Sequence, residues 1–415
     1  MRPIFRKFSF REYQHDSNMC PVMIVTPDDG NYMHTFFDVN PISPSGTYLA
    51  CIKLPFVDRL PKSEDAATVC IINLNTQEIA EVYETKGWGL CVGAHVSWGK
   101  SDNQLLFNDK EDGSVFSIEY HLESGTTRKL CHEFYQVTKD GKWGFGPSLA
   151  LLNNVQKGYG VTLDDKFDIT PTSSLADDEG LWRLDVENNS AHLILTKNDV
   201  FNLLPDKKPF ENCEMVFFHT KISPNQKRLM QMIRCKTAES NDATGRTGQL
   251  RFIVTCDLDG GNAKIALPFE LWGPDSHHPD WYPDSEWITM NLRFNGYLRF
   301  VKFKQDGSSL QIIYPHLPGS GHPSTSKNLR WFMTDTYPYE NFANHDKEIP
   351  IRLINAQTGE DRNILYIWSL SAEVPFDFRN DLHPVWNQDD TKIVFNGIVN
   401  DKRQVLIADV KDLVE

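Results

Sequence analysis

The sequence predicts an all-β fold, a single domain over residues 1–415 that forms a seven-bladed β-propeller of four-stranded antiparallel blades. Three observations support this prediction. A strand–turn–strand motif recurs seven times, a second hairpin motif follows each copy, and no long segment has helical periodicity. Short runs rich in Val, Ile, Phe and Tyr, broken by Asp, Asn, Gly and Ser, are typical of all-β proteins. Internal repetition of such a unit indicates a repeat architecture.

The first motif consists of a polar start, a short strand, an SPDG-like turn and an apolar strand. Its copies are VNPISPSGTYLACI, HVSWGKSDNQLLF, FYQVTKDGKWGFG, HTKISPNQKRLMQM, HPDWYPDSEWITM, HPSTSKNLRWFMT and HPVWNQDDTKIVF. We call the residue in the Ser position of the turn the marker; the markers are Ser43, Gly99, Thr138, Ser223, Tyr282, Ser326 and Asn387. Pro or Lys after the marker, followed by Asp, Asn or Gly, favours a tight turn between two antiparallel strands.

The second motif is a strand, a turn resembling D/N-x-x-T/S-G, and another strand. Its copies are ATVCIINLNTQEIAEVY, SVFSIEYHLESGTTRKL, GLWRLDVENNSAHLIL, LRFIVTCDLDGGNAKIAL, YLRFVKFKQDGSSLQII, PIRLINAQTGEDRNIL and RQVLIADV. Two hairpins per repeat give a four-stranded sheet, and seven sheets arranged radially leave few exposed edges. The last repeat stops after its third strand, so we expect the N-terminal run CPVMIVTP to supply the fourth and close the ring. A pair of β-sandwiches is the alternative fold.

Composition excludes several classes of protein. The net charge of -14 disfavours nucleic acid and anionic membranes as partners. The sequence contains no run of about 18 apolar residues, the length that a membrane span requires, and so predicts no membrane span. The start MRPIFRKFSFREY lacks the apolar segment of a signal peptide. A mature extracellular chain would look the same, and we favour an extracellular, monomeric protein over a cytoplasmic one. The eight cysteines form no CxxC pair, and most are expected to be buried thiols.

Histidine recurs at one position of the repeat. Four residues before the marker, five of the seven copies have histidine, namely His95, His219, His278, His322 and His383; the other two have Val39 and Phe134. Equivalent positions of a propeller are related by rotation about its axis, so these histidines should converge. Clustered imidazoles suit a divalent metal, and Asp381, on the same strand face as His383, adds a carboxylate. His34, in MHTFFD, is expected to line the same mouth. The alternative is that each histidine only caps a strand.

Such a site suits proton abstraction next to a carboxylate. A cation, either a metal or Arg/Lys, would stabilise the enolate-like state that forms on removal of the C5 proton of a uronic acid. A histidine would act as base, and Tyr or His as acid; His219 is one candidate catalytic residue. The sequence contains no G-x-S-x-G, P-loop, Rossmann or HExxH motif. A glycoside hydrolase would require two carboxylates that flank the scissile glycosidic bond, and the sequence identifies no such pair.

Several motifs resemble the propeller polysaccharide lyases, which include oligogalacturonate, ulvan and rhamnosyl-glucuronate lyases. The motifs are, in order, HTFFDVNPISPSGTYLA, GAHVSWG, YQVTKDGKW, KGYG, HPDW, GHPSTS, MTDTYP and DLHPVW, and the similarity extends from His34 to Val410. The resemblance implies a carbohydrate-metabolising lyase that cleaves the glycosidic bond at C4 of a uronic acid by β-elimination. The product would be a C4–C5 unsaturated uronate. The partner would be a uronate-containing oligosaccharide or polysaccharide.

The resemblance also implies roles for individual residues. It makes His278, His322, Asp381 and His383 the ligands of a divalent metal ion (calcium, manganese or zinc), with Asn380 where some members have cysteine. It makes His95 and Tyr135 catalytic. Ulvan lyases have a carboxylate-binding arginine sixteen residues after this tyrosine, where this chain has Leu151. This departure favours a rhamnosyl-glucuronate lyase. The replacement cation would come from Lys157, Lys221, Arg234 or Arg379, and Tyr159 in KGYG is a further pocket candidate.

Two other functions remain compatible with the sequence. A non-catalytic propeller scaffold would bind no metal and would not need clustered histidines. A glycoside hydrolase or phosphorylase on the same fold would place two carboxylates at the axis.

Overall fold

The computed structural model describes residues 2–167, 175–236, 249–371 and 374–415. These residues form seven antiparallel sheets, and the fold class is the predicted seven-bladed β-propeller. Within the described ranges, five sheets have four strands and two have five, because two short N-terminal strands each add to a sheet. Blades 1 and 7 thus contain the four predicted strands and one additional edge strand each.

The blades are numbered in the order of their markers along the chain. Blade 1 contains Arg6–Lys7, Asn31–Met33, Tyr48–Leu54, Ala67–Asn73 and Glu78–Thr85; blade 2 contains Ser97–Trp98, Gln104–Glu111, Ser114–His121 and Thr126–Lys129; blade 3 contains Gln136–Val137, Trp143–Gly146, Gly180–Asp185 and Ser190–Thr196; blade 4 contains Glu214–Ile222, Arg228–Lys236, Gln249–Asp257 and Lys264–Leu267.

The last three blades have the same order of strands. Blade 5 contains His277–Trp281, Trp287–Phe294, Tyr297–Lys304 and Gln311–Ile312; blade 6 contains Ser324–Thr325, Trp331–Thr334, Ile349–Asn355 and Asp361–Ile367; blade 7 contains Arg11–Glu12, Val22–Ile24, Val385–Trp386, Lys392–Val399 and Lys402–Asp409.

The chain divides into two compact units. Unit 1 comprises Met1–Asp109, Ile118–Arg128 and Ser320–Glu415, and unit 2 comprises Lys110–Ser117 and Lys129–Gly319. Blades 1, 6 and 7 belong to unit 1, blades 3, 4 and 5 belong to unit 2, and blade 2 has residues in both ranges.

One hydrogen bond recurs in all seven predicted turns. The backbone N–H of each marker donates to the carbonyl of the residue five positions later, over 2.8–3.0 Å. The donor and acceptor residues are Ser43 and Tyr48, Gly99 and Gln104, Thr138 and Trp143, Ser223 and Arg228, Tyr282 and Trp287, Ser326 and Trp331, and Asn387 and Lys392. This bond closes the turn before the strand that begins at the acceptor residue, as the SPDG-like sequences predict.

Blade 7 combines strands from both ends of the chain. Val22–Ile24 pairs antiparallel with Lys402–Asp409, with Val22 opposite Ala408. The side chains of Val22 and Ile24 are buried in the hydrophobic cluster of blades 6 and 7. The N-terminal run therefore contributes both backbone hydrogen bonds and core surface to this blade.

Helices are short in the part of the chain that the structure describes. The α-helices are Leu149–Val155, Lys197–Leu203 and Lys411–Val414, and the 3-10 helices are Lys208–Phe210, Phe269–Leu271 and Phe376–Phe378. We call Leu149–Val155 helix α1; Ser148 caps its N-terminus by accepting a bond from the N–H of Leu151. Most of the cysteines are buried, as predicted: Cys51, Cys70, Cys213, Cys235 and Cys256 are buried, Cys20 and Cys91 are partly buried, and Cys131 is exposed.

Candidate functional site

A histidine–carboxylate pair lies at the start of blade 6, in unit 1. The Nδ1 atom of His322 is 2.8 Å from Oδ1 and 3.0 Å from Oδ2 of Asp335, and the backbone N–H of His322 donates to the same Oδ1 over 2.7 Å. Both side chains are buried, with 0% and 1% exposure. A carboxylate at Nδ1 holds the proton on that nitrogen, so Nε2 has the lone pair that can bind a cation.

Gly321 makes this pairing possible. Its φ of 62° lies in the left-handed region, and a Cβ atom at this position would overlap the backbone oxygen of Asp335. Glycine is therefore required at position 321 of the GHPS sequence, both to adopt the left-handed backbone conformation and to leave room for the Asp335 carbonyl.

Two further side chains complete a possible metal-binding group in unit 1. One ligand atom from each of His322, Asp381 and His383 lies within 4.8 Å of the others. Asp381 also accepts hydrogen bonds from Arg379, at 2.8 Å from Nε and 3.4 Å from Nη2. Two imidazoles and a carboxylate at this spacing, with a carboxylate behind one imidazole, fit a divalent metal ion. We call these three residues the metal-ligand group.

Aromatic rings from HTFFD pack against the two histidines of the group. The Phe36 ring centroid is 4.6 Å from that of His383, and the Phe37 ring centroid is 5.0 Å from that of His322. The His322 and His383 rings are themselves 4.6 Å apart in an edge-to-face arrangement. This packing restricts how the imidazoles can rotate.

His34, from the same motif, is buried beside the group. Its backbone N–H donates to Asn396 Oδ1 over 2.9 Å. Burial, partly offset by the nearby backbone of Leu382 and His383, lowers the pKa of His34 to about 3, so the ring is neutral at physiological pH. The sequence predicted a substrate-binding role for His34; its side chain has 1% exposure.

Arg403 is a buried cation near this group that the sequence reasoning missed. It donates to the carbonyls of Leu90, at 2.9 Å, and Phe378, at 2.7 Å. Burial lowers its pKa to about 10, and nearby Cys91 and Asp381 oppose the shift. Because Arg403 lies within an apolar strand run, only the folded structure reveals it as a charge near Asp381.

The second constellation is a tyrosine–histidine pair in unit 2. The Tyr135 hydroxyl forms a short hydrogen bond with Nδ1 of His219, and the two rings meet edge-to-face with centroids 5.4 Å apart. Tyr135 is 1% exposed and His219 5% exposed. Tyr135 precedes blade 3, where a Cβ at Gly146 would overlap its backbone nitrogen. Two residues predicted to be catalytic are thus in direct contact and can exchange a proton.

A second tyrosine contacts His219, and an arginine stacks on the neighbouring Phe218. The Tyr159 ring centroid is 5.9 Å from that of His219 and 5.8 Å from that of Phe218. The Arg234 guanidinium lies 3.4 Å from the centroid of the Phe218 ring, and its Nη1 donates to Gln156 Oε1 over 2.6 Å. Gln156 follows helix α1, which contains Leu151. The structure therefore brings Arg234 to the helix whose sequence lacks the arginine that the resemblance led us to expect.

Glu133, two residues before Tyr135, is a buried acid that the sequence reasoning also missed. Burial raises its pKa to about 8, although the Leu149 N–H and the Ser148 side chain donate to it. The carboxyl group is therefore largely protonated at neutral pH. Perturbed acids of this kind are common at functional sites, and no sequence motif marks this one.

The other candidate cations have different surroundings. Lys157 is exposed, with Nζ 3.4 Å from Asn154 Oδ1. Lys221 is 3% exposed and forms an ion pair with Asp280 at 3.3 Å. Arg379 is engaged with Asp381, as described above. Arg234 is thus the predicted cation that stacks on Phe218, the residue before His219.

The predicted histidine position has a recurrent backbone conformation. His95, His278 and His383 have φ values of 56°, 54° and 47°, in the left-handed region. His95 is buried in unit 1, and His278 lies in blade 5 of unit 2, where its ring is 4.6 Å from that of His277. Non-glycine residues rarely adopt this conformation, and when they do they cluster at functional sites. The conformation therefore gives this position a structural role in several blades, in addition to any role in a site.

Among the described residues, no helix combines the length and apolar character that a membrane crossing requires.

The protein is similar to known proteins in structure, whereas its sequence matches no family model and no curated protein. An oligogalacturonate lyase from Vibrio parahaemolyticus is similar in structure, with a TM-score of 0.67, 14% identity and 100% of both chains covered. An oligogalacturonate lyase in complex with manganese has a TM-score of 0.66 and 13% identity, covering 100% of this chain and 99% of that one.

A puromycin hydrolase is similar at a TM-score of 0.50 and 10% identity, covering 96% of this chain and 54% of that one. At these identities the likeness establishes the propeller fold alone.

Proposed function

We propose that this protein is a lyase that cleaves uronate-containing oligosaccharides by β-elimination at C4 of the uronic acid. The observation that carries the proposal is the buried Tyr135–His219 pair, with Arg234 stacked on the adjacent residue Phe218. The full-length likeness to two oligogalacturonate lyases supports it as well.

The pair can supply both proton transfers of the elimination. His219 takes the C5 proton as general base, and the electron pair of the C5–H bond forms the C4–C5 double bond. The C4–O bond breaks, and Tyr135 donates its proton to the leaving oxygen. Because Nδ1 of His219 is hydrogen-bonded to Tyr135, Nε2 is the nitrogen that takes the C5 proton, and the imidazolium then returns its Nδ1 proton to the tyrosinate. His95, the catalytic histidine that the resemblance implies, is tested as an alternative base.

Arg234 is proposed to neutralise the uronate carboxylate. Removal of the C5 proton places negative charge on the carboxylate, and a fixed guanidinium lowers the energy of that state. Stacking on Phe218 and the bond to Gln156 hold Arg234 in place. Arg234 would thus take the role that the resemblance gives to an arginine at the position of Leu151.

A divalent metal ion is proposed at the metal-ligand group, held by His322, Asp381 and His383. His278, which the resemblance makes a further ligand, stays a prediction from the sequence. The manganese complex of a similar lyase supports a divalent ion. Imidazole ligands favour manganese or zinc over calcium, which prefers all-oxygen sites. When bound, such an ion supplies positive charge that can neutralise an acidic group.

Rhamnosyl-glucuronate oligosaccharide is the finer substrate that we propose, because Leu151 departs from the ulvan lyase pattern. The names of the similar structures favour galacturonate instead. A screen of rhamnosyl-glucuronate, ulvan and oligogalacturonide substrates separates these possibilities.

The proposal is tested by the ultraviolet absorbance of the C4–C5 unsaturated product. Y135F and H219A should each lower kcat by about 10²–10⁴-fold, and R234Q should lower kcat/KM. Y32F is the matched control, because Tyr32 is buried and its hydroxyl is hydrogen-bonded to Asp29. H95A with an unchanged rate would remove His95 as the base. Reducing ends that appear without ultraviolet absorbance would instead indicate a hydrolase, and no reaction with any uronate would favour a scaffold.

A further inference from the structure

An exposed aromatic surface adjoins the metal-ligand group in unit 1. The Tyr337 and Tyr339 rings are stacked, with centroids 5.4 Å apart and planes inclined by 2°. The Phe376 ring centroid is 5.8 Å from that of Tyr339. We call Tyr337, Tyr339 and Phe376 the aromatic platform.

The platform is open to solvent at one end. Tyr337 is 6% exposed, whereas Tyr339 is 65% and Phe376 43% exposed. Large aromatic side chains on a surface leave apolar area in contact with water, which is unfavourable unless a ligand covers it. Exposure alone does not identify a site, since Tyr297 is 66% exposed at a hairpin end. What distinguishes the platform is that three rings are packed together.

The buried end of the platform touches the metal-ligand group. The Tyr337 ring centroid is 6.2 Å from that of His322. The Arg379 guanidinium lies 5.4 Å from the Tyr337 ring centroid and 5.2 Å from that of Phe376, and the same guanidinium donates to Asp381. A ligand on the platform would therefore lie beside a cation and beside the candidate metal ligands.

We propose that the aromatic platform is a binding subsite for one sugar ring of a uronate-containing oligosaccharide. A pyranose ring has an apolar C–H face that stacks on tyrosine and phenylalanine, and polar edges that remain available for hydrogen bonds. Arg379 is paired with Asp381, and its guanidinium also lies against Tyr337 and Phe376, so a uronate carboxylate on the platform would approach its N–H donors. This inference rests on the proposed function, because the class of oligosaccharide is taken from it.

The test compares Y339A and F376A with Y297A, which removes an equally exposed tyrosine from blade 5, and with the conservative variant Y339F. Binding of a rhamnosyl-glucuronate oligosaccharide and of an oligogalacturonide is measured by calorimetry in the Y135F background, which slows turnover. We expect Y339A and F376A to weaken binding by about tenfold, in line with the loss of one aromatic stacking contact. In Y339F and Y297A, binding should be unchanged, and the melting temperature should be the same in these four variants as in the unsubstituted protein.

The outcomes separate the subsite from the lyase activity. Oligosaccharide binding that Y339A weakens, without unsaturated product from any uronate, would support the subsite and overturn the lyase. Product formation with oligosaccharide binding unchanged in Y339A and F376A would overturn the subsite and leave the lyase intact. Failure of the unsubstituted protein to bind either oligosaccharide would overturn the subsite. The subsite would also be overturned if Y339A bound the sugars normally but no longer self-associated, because the platform would then bind a second copy of the chain.

Discussion

The bond between His322 and Asp335 gives a quantitative prediction about metal binding. Asp335 Oδ1 accepts from both the backbone N–H and Nδ1 of His322, at 2.7 and 2.8 Å, and Oδ2 is 3.0 Å from Nδ1. In D335N, the amide oxygen can take the position of Oδ1. The amide NH₂ group then takes the position of Oδ2 and faces the Nδ1–H group of His322. This donor–donor contact favours moving the imidazole proton to Nε2, the nitrogen that would bind the metal. The negative charge that makes the imidazole a stronger ligand is also lost.

We expect D335N to lower the affinity for manganese by about 10–100-fold, the effect of losing a carboxylate behind a metal-binding histidine. This corresponds to about 1.4–2.8 kcal/mol. Calorimetric titration with manganese alone measures the change. D109N is the matched control, since Asp109 is a buried, hydrogen-bonded aspartate of the same unit. An affinity of D335N within twofold of D109N would refute the reasoning, and manganese binding that survives in H322A would place the metal elsewhere.

Three other perturbations have defined outcomes. Burial raises the pKa of Glu133 to about 8, so the folded state holds a proton that the unfolded chain releases at lower pH. The free energy of unfolding should therefore fall as pH rises from about 5 to about 8, by up to about 1.4 kcal/mol per pH unit. In E133Q, the free energy of unfolding measured by urea titration should no longer fall over this pH range. A free energy of unfolding that stays constant with pH in the unsubstituted protein would contradict the prediction. Deleting residues 1–27 removes the Val22–Ile24 strand and should abolish cooperative thermal unfolding; an undiminished transition would argue against ring closure. Manganese at 100 times its dissociation constant should stabilise the fold by about 2.7 kcal/mol, and a chelator should reverse the shift in melting temperature.

Much of the candidate site could be predicted because the repeat position shared by the histidines is visible in the sequence. The alignment selected His322 and His383, whose possible ligand atoms lie near that of Asp381, and His219, which contacts Tyr135. It could not find Asp335, because a carboxylate thirteen residues after a histidine meets it only when the hairpin closes. Glu133 and Arg403 were missed for a related reason, since burial alters a charged group without leaving a motif.

Tertiary structure distinguished the four candidate cations from one another. The sequence left Lys157, Lys221, Arg234 and Arg379 as equivalent candidates. The folded chain pairs Lys221 with Asp280 and Arg379 with Asp381, leaves Lys157 exposed, and stacks Arg234 on Phe218. Side chains distant in the sequence differ only in their neighbours, and those neighbours are set by packing.

The sequence by itself determined the seven-bladed architecture, because each blade repeats a local pattern of apolar strands and turn residues. The bond from every marker to the residue five positions later depends only on those local residues. Tertiary structure decided which polar groups meet, including the tyrosine–histidine pair, the carboxylate behind His322 and the exposed aromatic platform. Turns and strands follow from neighbours along the chain, whereas a site depends on contacts between distant segments, whose geometry exists only after the core is packed.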